Sequence, residues 1–402
     1  MRKGWEIKTL SKVCKTGAGG TPLKSHKDFY EGGTIPWLMS GEVSQGEIFE
    51  AQNFITEKGL NNSSARLFPV NTVLIAMYGA TAGQVGILRF EASTNQAVCG
   101  ILPNEKMIPE YLFYCFLSKK EELISQASGN AQPNISQIKI KNTKIPIPPL
   151  VEQQRIVSIL DEAFAAIDQA KENTKRNLQN AKDLFQSELN AVFSNKGEGW
   201  VERKLGEVAL TFGRGKSKHR PRNDEKLYGG KYPFIQTGDV RNSDKYILKY
   251  SQTYNELGLT QSKIWPKGTI CITIAANIAE TGILNFDSCF PDSIIGIVVD
   301  PKKAEVNFTY YALQFLKTKL QLLGKGSAQD NINLGTFETQ TFPFPSLTDQ
   351  KQIVHQLDTL SAETKKLESL YQQKLNNLED LKKSVLEKAF KGELKEIQLS
   401  EL

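Results

Sequence analysis

The sequence repeats itself once, in collinear order, over nearly its whole length, and no other feature constrains the fold as much. Trp5, Leu10 and Val13 correspond to Trp200, Leu205 and Val208. Pro36-Trp37, Gly41 and Val43 correspond to Pro233-Phe234, Gly238 and Val240. Phe68-Pro69 and Thr72 correspond to Trp265-Pro266 and Thr269, and Gly86-Ile87-Leu88 to Gly282-Ile283-Leu284. The joint IPIPPLVEQQRIV, beginning at Ile145, corresponds to FPFPSLTDQKQIV, beginning at Phe342, 197 positions later. Solenoid repeats have periods of about 20–50 residues. A period of half the chain means a duplicated domain.

Each copy divides in two. The first part is rich in Gly, Pro and short β-branched or aromatic runs, such as Thr72–Met77, Ala97–Leu102 and Ile294–Val299, which predict strands between turns. Helices are expected near Tyr111–Leu123 and Tyr310–Leu323. The second part, roughly 150–195 and 347–391, has almost no Gly or Pro and carries a three-four apolar spacing. In the first copy the seam runs through Ile156, Leu160, Ala163, Ile167, Ala170, Ala181, Leu184 and Ala191. In the second it runs through Ile353, Leu357, Leu360, Leu367, Tyr371, Leu378, Leu381 and Val385. Such spacing over five heptads predicts a coiled coil, with an Ala-rich strip facing a Leu-rich one; packing of each helix on its own domain is the other possibility. The expected fold is α+β. Two tandem α/β domains are separated by, and packed on, two long helices that form an antiparallel coiled coil with pseudo-two-fold symmetry. The expected boundaries are 1–145, 146–197, 198–344 and 345–402.

Enzyme chemistry is hard to assemble from these residues. Thr16-Gly17-Ala18-Gly19-Gly20-Thr21 leads into Pro22 and Lys24 rather than an apolar helix, which argues against a dinucleotide loop. Gly215-Lys216-Ser217 ends like a phosphate loop, but Leu210 stands where its first glycine should be. The three histidines, His26, His219 and His355, have no metal-ligand spacing, so no metal or cofactor is expected. Five scattered cysteines without a C-x-x-C pair, no leader-like start and no long apolar run suit a cytoplasmic protein.

DNA-reading chemistry is easier to find. The net charge is +6, a mild bias compatible with nucleic acid. Arg214, Lys216, Lys218, His219, Arg220 and Arg222 stand in a stretch, 213–223, that no acid interrupts. Gly213, Gly215 and Pro221 mark it as a loop, expected to be flexible, whose cations would neutralise phosphates or fork onto guanine. The matching place in the first copy holds Lys24, His26 and Lys27. A second candidate is the Ala-Gln-x-Asn-Ile pair: Gln132 with Asn134, and Gln329 with Asn331. These amides suit adenine, or else tie a turn that both copies need.

Together these features resemble the specificity subunits of type I restriction-modification systems. The resemblance rests on Gly199-Trp200 with Leu205 and Val208, the Gly19-Gly20-Thr21-Pro22 turn, Asn95-Gln96-Ala97-Val98, the Pro-Pro-Leu-x-Glu-Gln joint at Pro148–Gln153, and the closing Ala389-Phe390-Lys391-Gly392-Glu393-Leu394. In the second joint Ser346 and Lys351 replace Pro and Gln, while the spacing survives. The resemblance implies that each globular part is a target-recognition domain and each helix a spacer. It also implies two methyltransferase subunits and, for cleavage, restriction/translocase subunits as partners, with no active site on this chain. A specificity chain of a type IIB-like enzyme, or a helical scaffold without DNA recognition, stays open at this point.

Overall fold

The structure is a computed structural model. It describes residues 4–44, 46–126, 134–219, 221, 224–275, 278–325 and 334–394. The chain forms two compact units, residues 1–175 with 373–402, and residues 176–372. The division falls inside both long helices, Leu150–Ser194 and Leu347–Lys391, so each unit owns half of each helix.

The two units are built alike. In the first, a five-stranded sheet runs in the order Thr16–Ala18, Val98–Ile101, Val73–Ala76, Val85–Leu88, Gly46–Ile48. All neighbours are antiparallel except the last pair. In the second unit Ala209–Arg214, Ile294–Val299, Ile270–Thr273, Thr281–Leu284 and Tyr246–Ile247 repeat this order, again with one parallel pair at the end. The central strands are buried on both faces, which explains their unbroken apolar runs. One face meets the long helices; a second small sheet, Phe54–Ile55, Ile35–Leu38, Ala92–Thr94 and Leu67–Phe68 in the first unit, covers the other side of the recognition part.

The proline joints act as strands. Lys144–Ile147 pairs with Glu6–Thr9, and Thr341–Phe344 with Val201–Lys204, in the same antiparallel register. A two-stranded ribbon has only edges, so Pro146 and Pro343 fit without breaking a central ladder. Each domain is thus closed by its own two ends, and a long helix starts immediately after the closure.

The helix starts are locked by one residue that both copies keep. Gln153 is 0 % exposed and Gln350 is 1 % exposed. Gln153 Oε1 accepts from the Ile108 N–H at 2.9 Å, and its Nε2 donates to Lys106 O at 3.0 Å and Pro148 O at 2.9 Å. Gln350 Oε1 accepts from the Glu305 N–H at 2.8 Å and its Nε2 donates to Pro345 O at 2.9 Å. A second lock follows about two turns further along each helix. The Tyr114 hydroxyl donates to Asp161 at 2.5 Å, and the Tyr311 hydroxyl donates to Asp358. Burial, and then the carboxylate acceptor, push both phenols well above the ordinary tyrosine range, so both stay protonated donors. Lys245 caps the second lock, 2.5 Å from Asp358 and 4.7 Å from the centre of the Tyr311 ring.

Within the first unit the two long helices run antiparallel. Lys171 meets Glu379, and Asp168 meets Lys382 at 3.1 Å, so stepping back three residues on one helix steps forward three on the other. Ile156, Leu160 and Ile167 share one core with Val385, with Leu378 and Leu381 packed at its edge. In the second unit Leu357 is in the core and Ile353 packs against it, while Leu360 is half-buried. Two seam positions are corrected. Leu184 is 49 % exposed and Leu367 is 37 % exposed. Their neighbours take the inward place: Phe185 packs against the core, and Glu368 lines the groove beside it. Adjacent apolar pairs such as Leu184-Phe185 and Ile353-Val354 let a three-four template sit in either of two registers. At Leu184-Phe185 packing chose the later residue. The helices also bury their flanks in the recognition domains, so the apolar stripe is wider than a two-residue seam.

Candidate nucleic-acid interface

Arg214 ends the edge strand of the second unit's main sheet, and the chain turns there into Gly215–His219. The described part of this loop, Gly215–His219, is held by hydrogen bonds rather than free. The Gly215 N–H donates to Ile294 O at 2.9 Å, the Lys216 N–H to Phe290 O at 3.1 Å, and the Lys218 N–H to Gln261 Oε1 at 2.6 Å. Ser262 Oγ donates to Lys216 O at 2.9 Å. Gly215 passes so near Phe290 that a Cβ would lie 2.2 Å from its carbonyl oxygen, so only glycine allows these bonds. Anchoring the backbone leaves the cationic heads of Lys216 and Lys218 on the outside while Ser217 between them is buried.

Ser217, between these two lysines, lines a cleft of about 250 Å³ together with Tyr228, Gln236, Gln252, Pro291 and Ser293 among others. Arg214 reaches the same edge, its Nε donating to Asp292 O at 2.7 Å. Asp224 pairs with His219 at 2.8 Å, and its carboxyl is held below the ordinary range first by the Lys226 N–H and then by His219. Cations beside a cleft that also carries amide and hydroxyl groups are what a surface needs if it is to hold phosphates and offer hydrogen bonds to a base edge.

The remaining expected site residues are distributed as follows. Arg220, Arg222, Gln132, Gln329 and Asn331 lie outside the described residues. Asn134 is exposed and forms an isolated bridge with Tyr78, next to the fully buried Ile135. Lys24, His26 and Lys27 are exposed on one short segment of the first unit. There His26 stacks on Phe29 at 4.9 Å, and Asp28 pairs with Lys58 at 2.5 Å and stands 3.8 Å from the imidazole. That acid makes the segment less positive than its counterpart. The Gly19-Gly20 turn serves close packing: a Cβ on Gly20 would lie 2.2 Å from the Ala65 nitrogen. Among the described residues, no His, Cys, Asp and Glu side chains gather as a metal site would need. No helix among them is long and apolar enough to cross a membrane.

Sequence reading missed Gln153, Gln350, the two Tyr–Asp locks and the Gln236–Gln252 wall. The first four carried a signal, because each is identical in both copies at the 197-residue spacing seen for Gln153 and Gln350. The glutamine wall carried none.

Comparison with known proteins agrees with this architecture. The chain is similar to the MjaIX type I restriction enzyme specificity subunit of Methanocaldococcus jannaschii, 24 % identical over 85 % of this chain and 83 % of that one. It is similar to the EcoR124I/EcoR124II specificity subunit of Escherichia coli, 28 % identical over 47 % of this chain; there the match spans about half, 48 %, of the relative's length. Among solved structures, a chain described under complex assembly and conformational transition of the type I R-M system matches with a TM-score of 0.80 and 21 % identity, covering 98 % of this chain and 99 % of that one. The HsdS subunit from Thermoanaerobacter tengcongensis matches with a TM-score of 0.66 and 20 % identity, over 98 % of each chain. The family model for the type I restriction modification DNA specificity domain matches twice, at residues 2–179 and 197–379. The two matches coincide with the two copies of the internal repeat, and the chain therefore belongs to the family of type I restriction-modification DNA specificity proteins.

Proposed function

We propose that this chain is the non-catalytic subunit that selects DNA for a type I restriction-modification complex. It reads a target in two parts with a fixed, unread gap, and it positions two methyltransferase subunits and the restriction/translocase subunits there. In this reading residues 1–145 and 198–344 are the recognition domains, and 146–197 and 345–402 are the spacers. One observation carries the proposal. The two copies keep the same frame of sheet order, closing ribbon and Gln and Tyr–Asp locks, while the side chains at the cleft and its rim differ. A duplicated frame with different rims suits two readers of two different half-sites.

The test is to exchange residues 1–144 for the same part of a relative and sequence the methylation pattern that the assembled complex leaves on DNA. One half-site should change and the other should stay. A simultaneous change of both would contradict independent recognition.

Arg214, Lys216 and Lys218 are expected to supply affinity with little base preference. Each phosphate contact contributes a slope of about −0.9 to log K against log salt. Replacing all three with alanine should flatten the measured slope by about two to three units, with the selected sequence kept. An unchanged slope would remove this loop from the interface.

A further inference from the structure

The cleft beside the cationic loop contains more than phosphate binding requires. Gln236 follows the strand Tyr228–Phe234, and Gln252 begins its partner strand Gln252–Tyr254. The register places Gln252 opposite Phe234, so the two glutamines flank the same end of the ribbon. Gln236 Nε2 donates to Gln252 Oε1 at 2.5 Å. That bond uses one donor and one acceptor. It leaves Gln236 Oε1 to accept and Gln252 Nε2 to donate. Turning both amides over exchanges the atoms but still leaves one amide oxygen and one NH2 group outside the bond.

In the major groove, adenine offers a donor at N6 beside an acceptor at N7. Guanine offers two acceptors, cytosine a donor, and thymine an acceptor with a methyl group. A coupled pair that presents an amide oxygen beside an NH2 group therefore complements adenine, whereas guanine, with two acceptors, gives the amide oxygen no donor. The backbone that carries the pair is held at both sides. The Gln236 N–H donates to Asp239 Oδ2 at 2.8 Å, and Ser251 Oγ, one residue before Gln252, donates to the same oxygen at 3.2 Å. Phe234 stacks on Tyr254 at 4.1 Å beneath them.

The first copy supplies an internal comparison. There the Met39 N–H donates to Glu42 Oε2 at 2.7 Å, as Gln236 does to Asp239. The Trp37 N–H donates to Asn53 O at 2.8 Å, which puts Asn53 at the place of Gln252. But Met39 has no amide, and Asn53 Nδ2 is turned to Glu42 at 3.2 Å. The holding acid is retained and the amide pair is not. A pair needed only to join the strands would be expected in both copies.

The geometry points to Gln236 and Gln252 as the base-reading pair of the second recognition domain, selecting adenine at one position of its half-site. This inference rests on the DNA-reading function proposed above. The test uses the full-length chain with its methyltransferase subunits, as wild type, Gln236→Ala, Gln252→Ala and Gln236→Glu, on a library with both half-sites randomised. Methylated molecules are sequenced. In the alanine variants, discrimination for adenine at one position should fall by roughly 5- to 150-fold, the range of one good bidentate contact. The other half-site and the salt slope should not move. Gln236→Glu presents a carboxylate acceptor, which suits the cytosine N4 donor, and should shift that position from adenine toward cytosine. This shift is a gain that misfolding cannot imitate. Unchanged base preference at every position in all three variants would overturn the assignment, as would a uniform loss at all sites without a shift in Gln236→Glu. A wild-type complex that methylates no two-part site would overturn the proposed function itself, and this assignment with it.

Discussion

Gln153→Ala and Gln350→Ala are each expected to lower the stability of their unit by about 2–4 kcal/mol. Neither side chain touches the proposed DNA surface. The cost arises because the removed amide leaves buried partners behind. For Gln153 these are the Ile108 N–H and the Lys106 and Pro148 carbonyls; for Gln350 they are the Glu305 N–H and the Pro345 carbonyl. A buried polar group without a partner costs about 1–3 kcal/mol, and the costs within one small network do not simply add. Gln153→Glu should be no milder, since it removes the donor and points a carboxylate at two carbonyl oxygens. Gln154→Ala, one residue further along and exposed, should stay within about 0.5 kcal/mol. Thermal denaturation of the purified chain checks this. With about 2–4 °C per kcal/mol for a unit of this size, a fall in Tm of about 5–15 °C is expected for each buried glutamine. A fall as small as that of Gln154→Ala would mean that the locks contribute nothing.

Much of this architecture was legible before any coordinates. The collinear repeat predicted two like domains, and the loss of Gly and Pro after each Pro-x-Pro joint predicted the long helices. The helix register was not legible to one residue. Leu184 and Phe185 are both apolar, so only three-dimensional packing decides which of them turns inward. Charge was legible at Arg214, Lys216 and Lys218, but the pinned state of their loop was not, because the bonds that fix it come from Gln261, Ser262, Phe290 and Ile294, far along the chain. In the sequence Gln153 stands out only as the last residue of the Pro-Pro-Leu-x-Glu-Gln joint. Its identity in both copies was the available sign of a buried role, since the exposed faces of the two helices have diverged. The glutamine wall had no such sign. Its two members are 16 residues apart, and the first copy has Met39 and Asn53 in their places rather than an amide pair.

The second large effect concerns the gap between the half-sites. The two locks weld each recognition domain to the start of a helix. Each long helix has 45 residues, about 68 Å at about 1.5 Å per residue. Neither helix contains Gly or Pro, so nothing in them offers a hinge. One extra base pair shifts a half-site by about 3.4 Å and rotates it by about 34° around the DNA axis, since a turn holds about 10–10.5 pairs. A flexible linker would absorb that change. In the reading proposed above, two unbroken helical spacers would not. The measurement that tests the account most directly is selection, with the assembled methylating complex, from a library with both halves randomised and gaps of every length from three to ten pairs. Recovery of a single gap length, with unselected bases inside it, is the predicted result. Comparable recovery of several adjacent gap lengths would contradict the fixed two-part reading.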